Sequence, residues 1–191
     1  MTQHPAQGRT ALLVVDMQNS YFEFAELEEQ RDAVTEKVNE LIRAARDGGG
    51  PILLIRTQHE RDRSTWTVNM HDDDQGFAFP GTEQSQYVAG LDTEGGTGMV
   101  KTRDSAFFDT DLAARLRNLR VEHLVICGIS THTCVAQTAM DAFAHDFRVA
   151  VARDAVASEN SELSRALLSF LGDAKRQDVL TQEDAVARLR G

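Results

Sequence analysis

The sequence predicts an α/β fold: a single domain on a doubly wound, mostly parallel six-stranded sheet with helices on both faces. Three observations carry this. Short unbroken apolar runs alternate along the chain with segments whose apolar residues recur at helical spacing. The runs are apolar at consecutive positions, the pattern of strands covered on both faces. The segments between them are long enough to be the crossovers that parallel strands need. A length of 191 residues suits one domain.

The elements follow in order. Residues 1–9 read as a loose arm and 10–191 as the folded domain. The first apolar run is 11–15, ending at Asp16. Residues 31–46 place Ala33, Val34, Val38, Leu41, Ile42 and Ala45 on one helical stripe, and Gly48-Gly49-Gly50-Pro51 stops it. A second strand is 52–55, and 99–100, leading into Lys101, is a short third. Leu112, Ala113, Leu116 and Leu119 predict a helix over 110–119, which Asp109 or Thr110 can cap. Residues 123–128 form a strand ending in glycine. A helix over 134–145 follows, with Val135, Ala139, Ala142 and Phe143 inward. A strand at 148–152, a helix at 162–171 and a strand at 178–180 come next. Thr181-Gln-Glu-Asp184 reads as a capping box opening the last helix. The exception to this alternation is 58–97, a polar stretch of about 40 residues carrying Trp66, His71, Phe77, Phe79 and Tyr87. Its length predicts an active-site wall or lid.

Composition narrows the function. The net charge of −10 disfavours nucleic acid and anionic membrane surfaces. No apolar run approaches the roughly 18 residues of a membrane span. Residues 1–8 lack the apolar segment of a secretory signal, and the only cysteines are Cys127 and Cys134. A cytoplasmic protein acting on a small molecule is expected.

Three reactive side chains fall at carboxyl ends of predicted strands, the edge where ligands bind in such sheets. Asp16 ends the first and Lys101 the third. Cys134 follows the turn after the fourth and opens a helix. A thiol there feels the positive end of the helix dipole, and a nearby ammonium acts in the same sense. Both favour the nucleophilic thiolate. Backbone N–H groups of the same turn can hold an oxyanion, and an aspartate can shuttle the proton. Read singly, Asp16 is also a turn cap, Lys101 a solvated strand end and Cys134 a small buried residue. Cys127, inside a strand, is read as structural. The shared edge favours chemistry.

These residues lie in three ordered segments: 12–19 (LLVVDMQN), 100–108 (VKTRDSAFF) and 127–135 (CGISTHTCV), the last continuing into TAMDA at 138–142 and VAVARDA at 149–155. Over roughly residues 10–180 the chain resembles the isochorismatase-like cysteine hydrolases, among them nicotinamidases and N-carbamoylsarcosine amidases. The resemblance implies a triad in which Cys134 attacks a carbonyl carbon. Asp16 then serves as base and as acid, and Lys101 keeps the pair charged. It implies a cis peptide at Ile129–Ser130 that aims the Ser130 N–H, with that of Cys134, at the oxyanion. It also implies a homodimer or homotetramer.

The chain departs from that pattern in one respect. Metal-bearing members carry Asp-x-His after the second strand and two further histidines, whereas this chain reads Thr57-Gln58-His59 and adds only His71 in the insertion. No metal and no other cofactor are expected, which argues against a nicotinamidase. Candidates to line the pocket are Gln18, Tyr21, Phe22, Arg56, His59, Trp66, Phe107 and His132. Arg56 suits a carboxylate fork or an internal ion pair. His132 lies two residues before Cys134, but Asp16 already supplies a base.

The function expected is hydrolysis of a small amide, ureido or carbamoyl C–N bond through a thioester on Cys134. Isochorismatase-type cleavage of a vinyl ether is the first alternative, although some members with that chemistry lack the cysteine. A non-catalytic binding protein is the second. A dinucleotide-binding oxidoreductase needs a glycine-rich turn after the first strand, where this chain has Asp16-Met-Gln-Asn-Ser-Tyr21.

Overall fold

The computed structural model describes residues 8–191. The arm expected at 1–9 lies outside the described residues up to residue 7, and Arg9 already belongs to the first strand. In chain order the elements are β1 (Arg9–Val15), α1 (Ala25–Glu28), α2 (Arg31–Asp47), β2 (Ile52–Thr57), α3 (Val68–Asp72), β3 (Gly96–Lys101), α4 (Leu112–Asn118), β4 (Val121–Ile129), α5 (Ala136–Ala144), β5 (Arg148–Ala157), α6 (Ser161–Asp173), β6 (Asp178–Leu180) and α7 (Gln182–Arg190). The six strands form one sheet in the order β3-β2-β1-β4-β5-β6. Every neighbouring pair is parallel.

The unbroken apolar runs have a direct physical cause. Successive side chains of a strand point to opposite faces, and both faces are covered. Leu12, Val14 and Leu54 pack with Val34, Val38 and Leu41 of α2 and Leu189 of α7. Leu13, Val15 and Ile55 pack with Leu112 and Leu116 of α4, Ala139 of α5 and Leu171 of α6. The expected capping box holds in part: Thr181 Oγ1 accepts the Asp184 N–H at 3.2 Å and donates to the Asp184 carboxylate at 2.7 Å.

Several boundaries move. β3 starts at Gly96, because its backbone pairs with β2 along its whole length although Gly96, Thr97 and Gly98 carry no strand signal. β5 runs on to Ala157 through the exposed Arg153 and Asp154, across a register shift against β4. α4 covers 112–118, with Leu119 already 39% exposed. The helix expected from Cys134 begins instead with a wide π-type turn at Thr131–Val135, which runs into α5. Phe143, expected inward, is 43% exposed, because Ala139 and Ala142 fill the buried stripe.

The 58–97 segment is organised rather than structureless. It contains α3 and a 3₁₀ turn at Glu83–Ser85. Its end runs back along the loop after β1, where the Val88 N–H donates to the Met17 carbonyl at 3.0 Å and the Asn19 N–H to that of Gln86 at 3.0 Å. Its start is joined to the end of β3, the Gln58 N–H donating to the Lys101 carbonyl at 3.1 Å. The insertion is therefore fixed to the carboxyl edge of the sheet. Among the described residues no helix is long and apolar enough to cross a membrane.

Candidate active site

The parallel register sets the site. Thr57 ends β2 opposite Lys101, which ends β3. Val15, just before Asp16, lies opposite Gly128 of β4. Gly128 has φ +112°, and a Cβ there would lie 2.0 Å from the Val15 carbonyl oxygen, so only glycine allows the two strands this approach. Asp16 itself has φ +53°, a left-handed conformation that aspartate tolerates better than most residues. It turns the carboxylate off the end of β1. The Ile129–Ser130 peptide is cis, and the chain then enters the turn that carries Cys134.

Asp16, Lys101 and Cys134 meet at one buried point, none more than 2% exposed. Lys101 Nζ lies 2.7 Å from Asp16 Oδ2 and 3.3 Å from Cys134 Sγ. It also donates to the Arg103 carbonyl at 3.0 Å and to Thr57 Oγ1 at 2.7 Å. The Thr57 hydroxyl is fully used. It donates to Asp16 Oδ1 at 3.0 Å and accepts from Lys101 and from the Tyr21 hydroxyl at 3.0 Å. One donor and two lone pairs are all a hydroxyl has. Tyr21 Oη is 4.0 Å from Cys134 Sγ, and Asp104 Oδ1 also lies 4.0 Å from the sulfur.

The electrostatics follow from burial. Burial first, and the Asp16 carboxylate second, push the Cys134 thiol up to about 12. The Lys101 ammonium opposes them, and Asp104 adds a further rise. The thiolate expected from the helix end and the lysine is thus outweighed, because removing an anion from water costs more than those two groups return. Burial alone would lower the Lys101 ammonium, but Asp16 and Cys134 more than offset it and its pKa is raised. Desolvation, Asp16 and Cys134 raise Tyr21 well above its ordinary value, which keeps it a neutral phenol. Burial pushes His59 down, helped by Arg103 and Lys101 and opposed by its bond to the Thr65 carbonyl.

The sequence profile of the isochorismatase domain matches residues 10–184. The chain belongs to the isochorismatase family. An Arabidopsis thaliana protein named "Probable inactive nicotinamidase" is 36% identical over 168 residues, covering 82% of this chain and 85% of that one. The maleamate amidohydrolase of Pseudomonas putida is 40% identical over 92 residues, 48% of this chain and 43% of that one. The crystal structure of an isochorismatase family protein from Desulfovibrio vulgaris superposes with a TM-score of 0.83 at 28% identity, covering 95% of this chain and 100% of that one.

Within this isochorismatase-family fold the remaining candidates divide. Tyr21 and His59 stand near the triad, joined by Phe77, whose ring lies 6.1 Å from Tyr21 and 5.3 Å from His59. Gln18 braces instead of facing a substrate. Its amide is fully buried and bonds the Thr57 backbone N–H at 2.7 Å, the Thr57 carbonyl at 2.9 Å and the Ser85 carbonyl at 3.2 Å. Phe22 belongs to the core on the α2 face. Phe107 belongs to the core on the α4 and α5 face, its ring 5.1 Å from that of His145 and 6.0 Å from that of Phe147. Arg56 lies over the Tyr87 ring. Trp66 is internal to the insertion, its indole N–H donating to the Glu60 carbonyl at 3.0 Å. His132 turns toward the β5–α6 loop, its Nδ1 2.8 Å from Ser158 Oγ and its Nε2 3.6 Å from Glu159. Among the described residues no three His, Cys, Asp or Glu side chains converge on a metal position. Thr57 stands where that set has an aspartate, and its hydroxyl is already taken up by Asp16, Lys101 and Tyr21, so the residues present do not fit the family's metal set. The sequence reading gave no site role to Thr57, Phe77 or Asp104. Asp104 does lie within the 100–108 motif, and Thr57 is one residue past the predicted Arg56.

Proposed function

We propose that this chain is a cysteine hydrolase that cleaves a small amide, ureido or carbamoyl C–N bond. The observation that carries the proposal is the single ammonium, Lys101 Nζ, placed 2.7 Å from the Asp16 carboxylate and 3.3 Å from the Cys134 sulfur, all three buried.

The chemistry follows from that contact. At rest the thiol keeps its proton, since its pKa is pushed up to about 12 by burial and Asp16. When a carbonyl enters, Asp16 takes the thiol proton as the sulfur attacks. The S–C bond forms, and the carbonyl electrons move to oxygen, held by the Ser130 and Cys134 N–H groups. The electrons return, the C–N bond breaks, and Asp16 gives its proton to the departing nitrogen. Asp16 then takes a proton from water, which attacks the thioester, and the proton ends on the sulfur. Lys101 balances the negative charge throughout. Thr57 holds Lys101 and Asp16 in register and takes no proton itself.

Intact mass spectrometry with a panel of small amides, ureido acids and isochorismate tests the proposal. The expected result is an adduct on Cys134 with release of ammonia or amine, and loss of both in Cys134→Ala. Release of pyruvate from isochorismate without an adduct would move the protein to vinyl ether chemistry. Absence of adduct and product with every compound would favour the non-catalytic reading, which the inactive relative keeps in view.

A further inference from the structure

We propose that Asp104 is a charge filter beside the nucleophile, which makes neutral and cationic acyl groups the preferred substrates and disfavours amides bearing a carboxylate near the scissile bond. The inference deepens the proposed function and rests on Cys134 as the reacting atom. Asp104 follows β3 and is exposed, unlike the buried triad. Its Oδ1 lies 4.0 Å from Cys134 Sγ. Its other oxygen accepts from Gln137 Nε2 at 2.8 Å, and Gln137 stands three residues beyond Cys134. The carboxylate is thereby held at the solvent side of the sulfur, while Asp16 and Lys101 lie on its buried side.

Among the described residues no cation is ion-paired with Asp104, whose side-chain hydrogen-bond donor is Gln137. Lys101 is paired with Asp16. The Arg103 guanidinium is directed into the insertion, onto the carbonyls of Thr65 at 2.8 Å, Thr102 at 2.7 Å and Trp66 at 3.4 Å. His59 is held neutral by burial, and Tyr21 stays a phenol. On the β5 side of the turn, His132 faces a second carboxylate, Glu159, which also accepts the Ser130 hydroxyl at 2.6 Å. A substrate anion within a few ångströms of Sγ therefore comes close to a carboxylate that has no ion-pair partner, a repulsion that water at this exposed rim reduces without removing. The overall charge of −10 acts in the same direction at longer range.

The test uses two reagents of nearly equal size and different charge. Iodoacetamide and iodoacetate are compared at pH 9 on the folded protein and on Asp104→Asn, with Cys134 labelling located by peptide mass spectrometry. The expected preference for iodoacetamide over iodoacetate exceeds that of free cysteine about tenfold, and falls toward the free-cysteine ratio in the variant. The ratio cancels any change in the thiol pKa. An unchanged ratio in Asp104→Asn, or no excess preference in the wild type, would overturn the inference. Turnover of maleamic acid against its neutral diamide gives a second readout: kcat/KM is expected to favour the diamide, and Asp104→Asn to narrow the gap. Equal values in wild type and variant would also overturn it. The labelling ratio needs no turnover, so failure of the amidase proposal would be seen separately, as absence of an acyl adduct.

Discussion

Thr57 shows how one hydroxyl sets the geometry of a buried charged cluster. Lys101, Asp16 and Tyr21 all converge on it. Thr57→Val keeps the shape and deletes these three bonds, leaving Asp16 and Lys101 each one partner short in a buried site. We expect kcat to fall about 10- to 100-fold with KM little changed, by steady-state kinetics, since a buried charged group that loses a partner costs a few kcal/mol. The Cys134 thiol gives a second expectation. Its pKa is raised to about 12, so the thiolate fraction, and with it alkylation by iodoacetamide, should climb about tenfold per pH unit from 7 to 10. A plateau near pH 7 would mean that Lys101 outweighs burial. Asp16 and Lys101 were legible in the sequence because each ends a local apolar run, and Cys134 because it follows the turn after one. Thr57 and Asp104 were not. Thr57 acquires its role only when parallel register sets it opposite Lys101. Asp104 acquires its role only when α5 brings Gln137 and Cys134 to it.

Among the elements, β4 and the turn after it do most to position the chemistry. Gly128 lets β4 lie against the end of β1, with no space for a methyl group near the Val15 carbonyl. Gly128→Ala must shift backbone rather than a flexible side chain, at a φ that alanine disfavours. We expect a loss of about 2 kcal/mol or more in urea unfolding, together with a fall in kcat as Asp16 and the Cys134 turn separate. Retained stability and activity would mean that the strands have slack at this point. Strands β1, β2 and β4 were read nearly correctly, because each buries both faces and so shows an unbroken apolar run. β3 and the second half of β5 were under-read for the opposite reason. Gly96 and Thr97 are placed in β3 by backbone pairing, which leaves no trace in side-chain polarity, and Arg153 and Asp154 fall in the irregular stretch between the two paired parts of β5. Phe107 was read as pocket lining from its closeness in sequence to Lys101, whereas its ring packs in the core against His145 and Phe147.

At the scale of the whole molecule, the fold class was evident from alternation alone, whereas the course of the 58–97 insertion depends on hydrogen bonds to distant loops after β1 and β3. The strand order has a further consequence. Asp16 and Cys134 are carried by strands in the middle of the sheet, but Lys101 is carried by β3, which pairs only with β2. Edge segments are commonly among the first to open in partial unfolding, well below the free energy of global melting. When β3 detaches, the ammonium leaves while the rest of the sheet stands. Amide hydrogens of β3 should therefore exchange faster than those of β1, and in rising urea the proposed turnover should be lost before the circular dichroism changes. The protein would then be most vulnerable at its margin, becoming inactive while still folded.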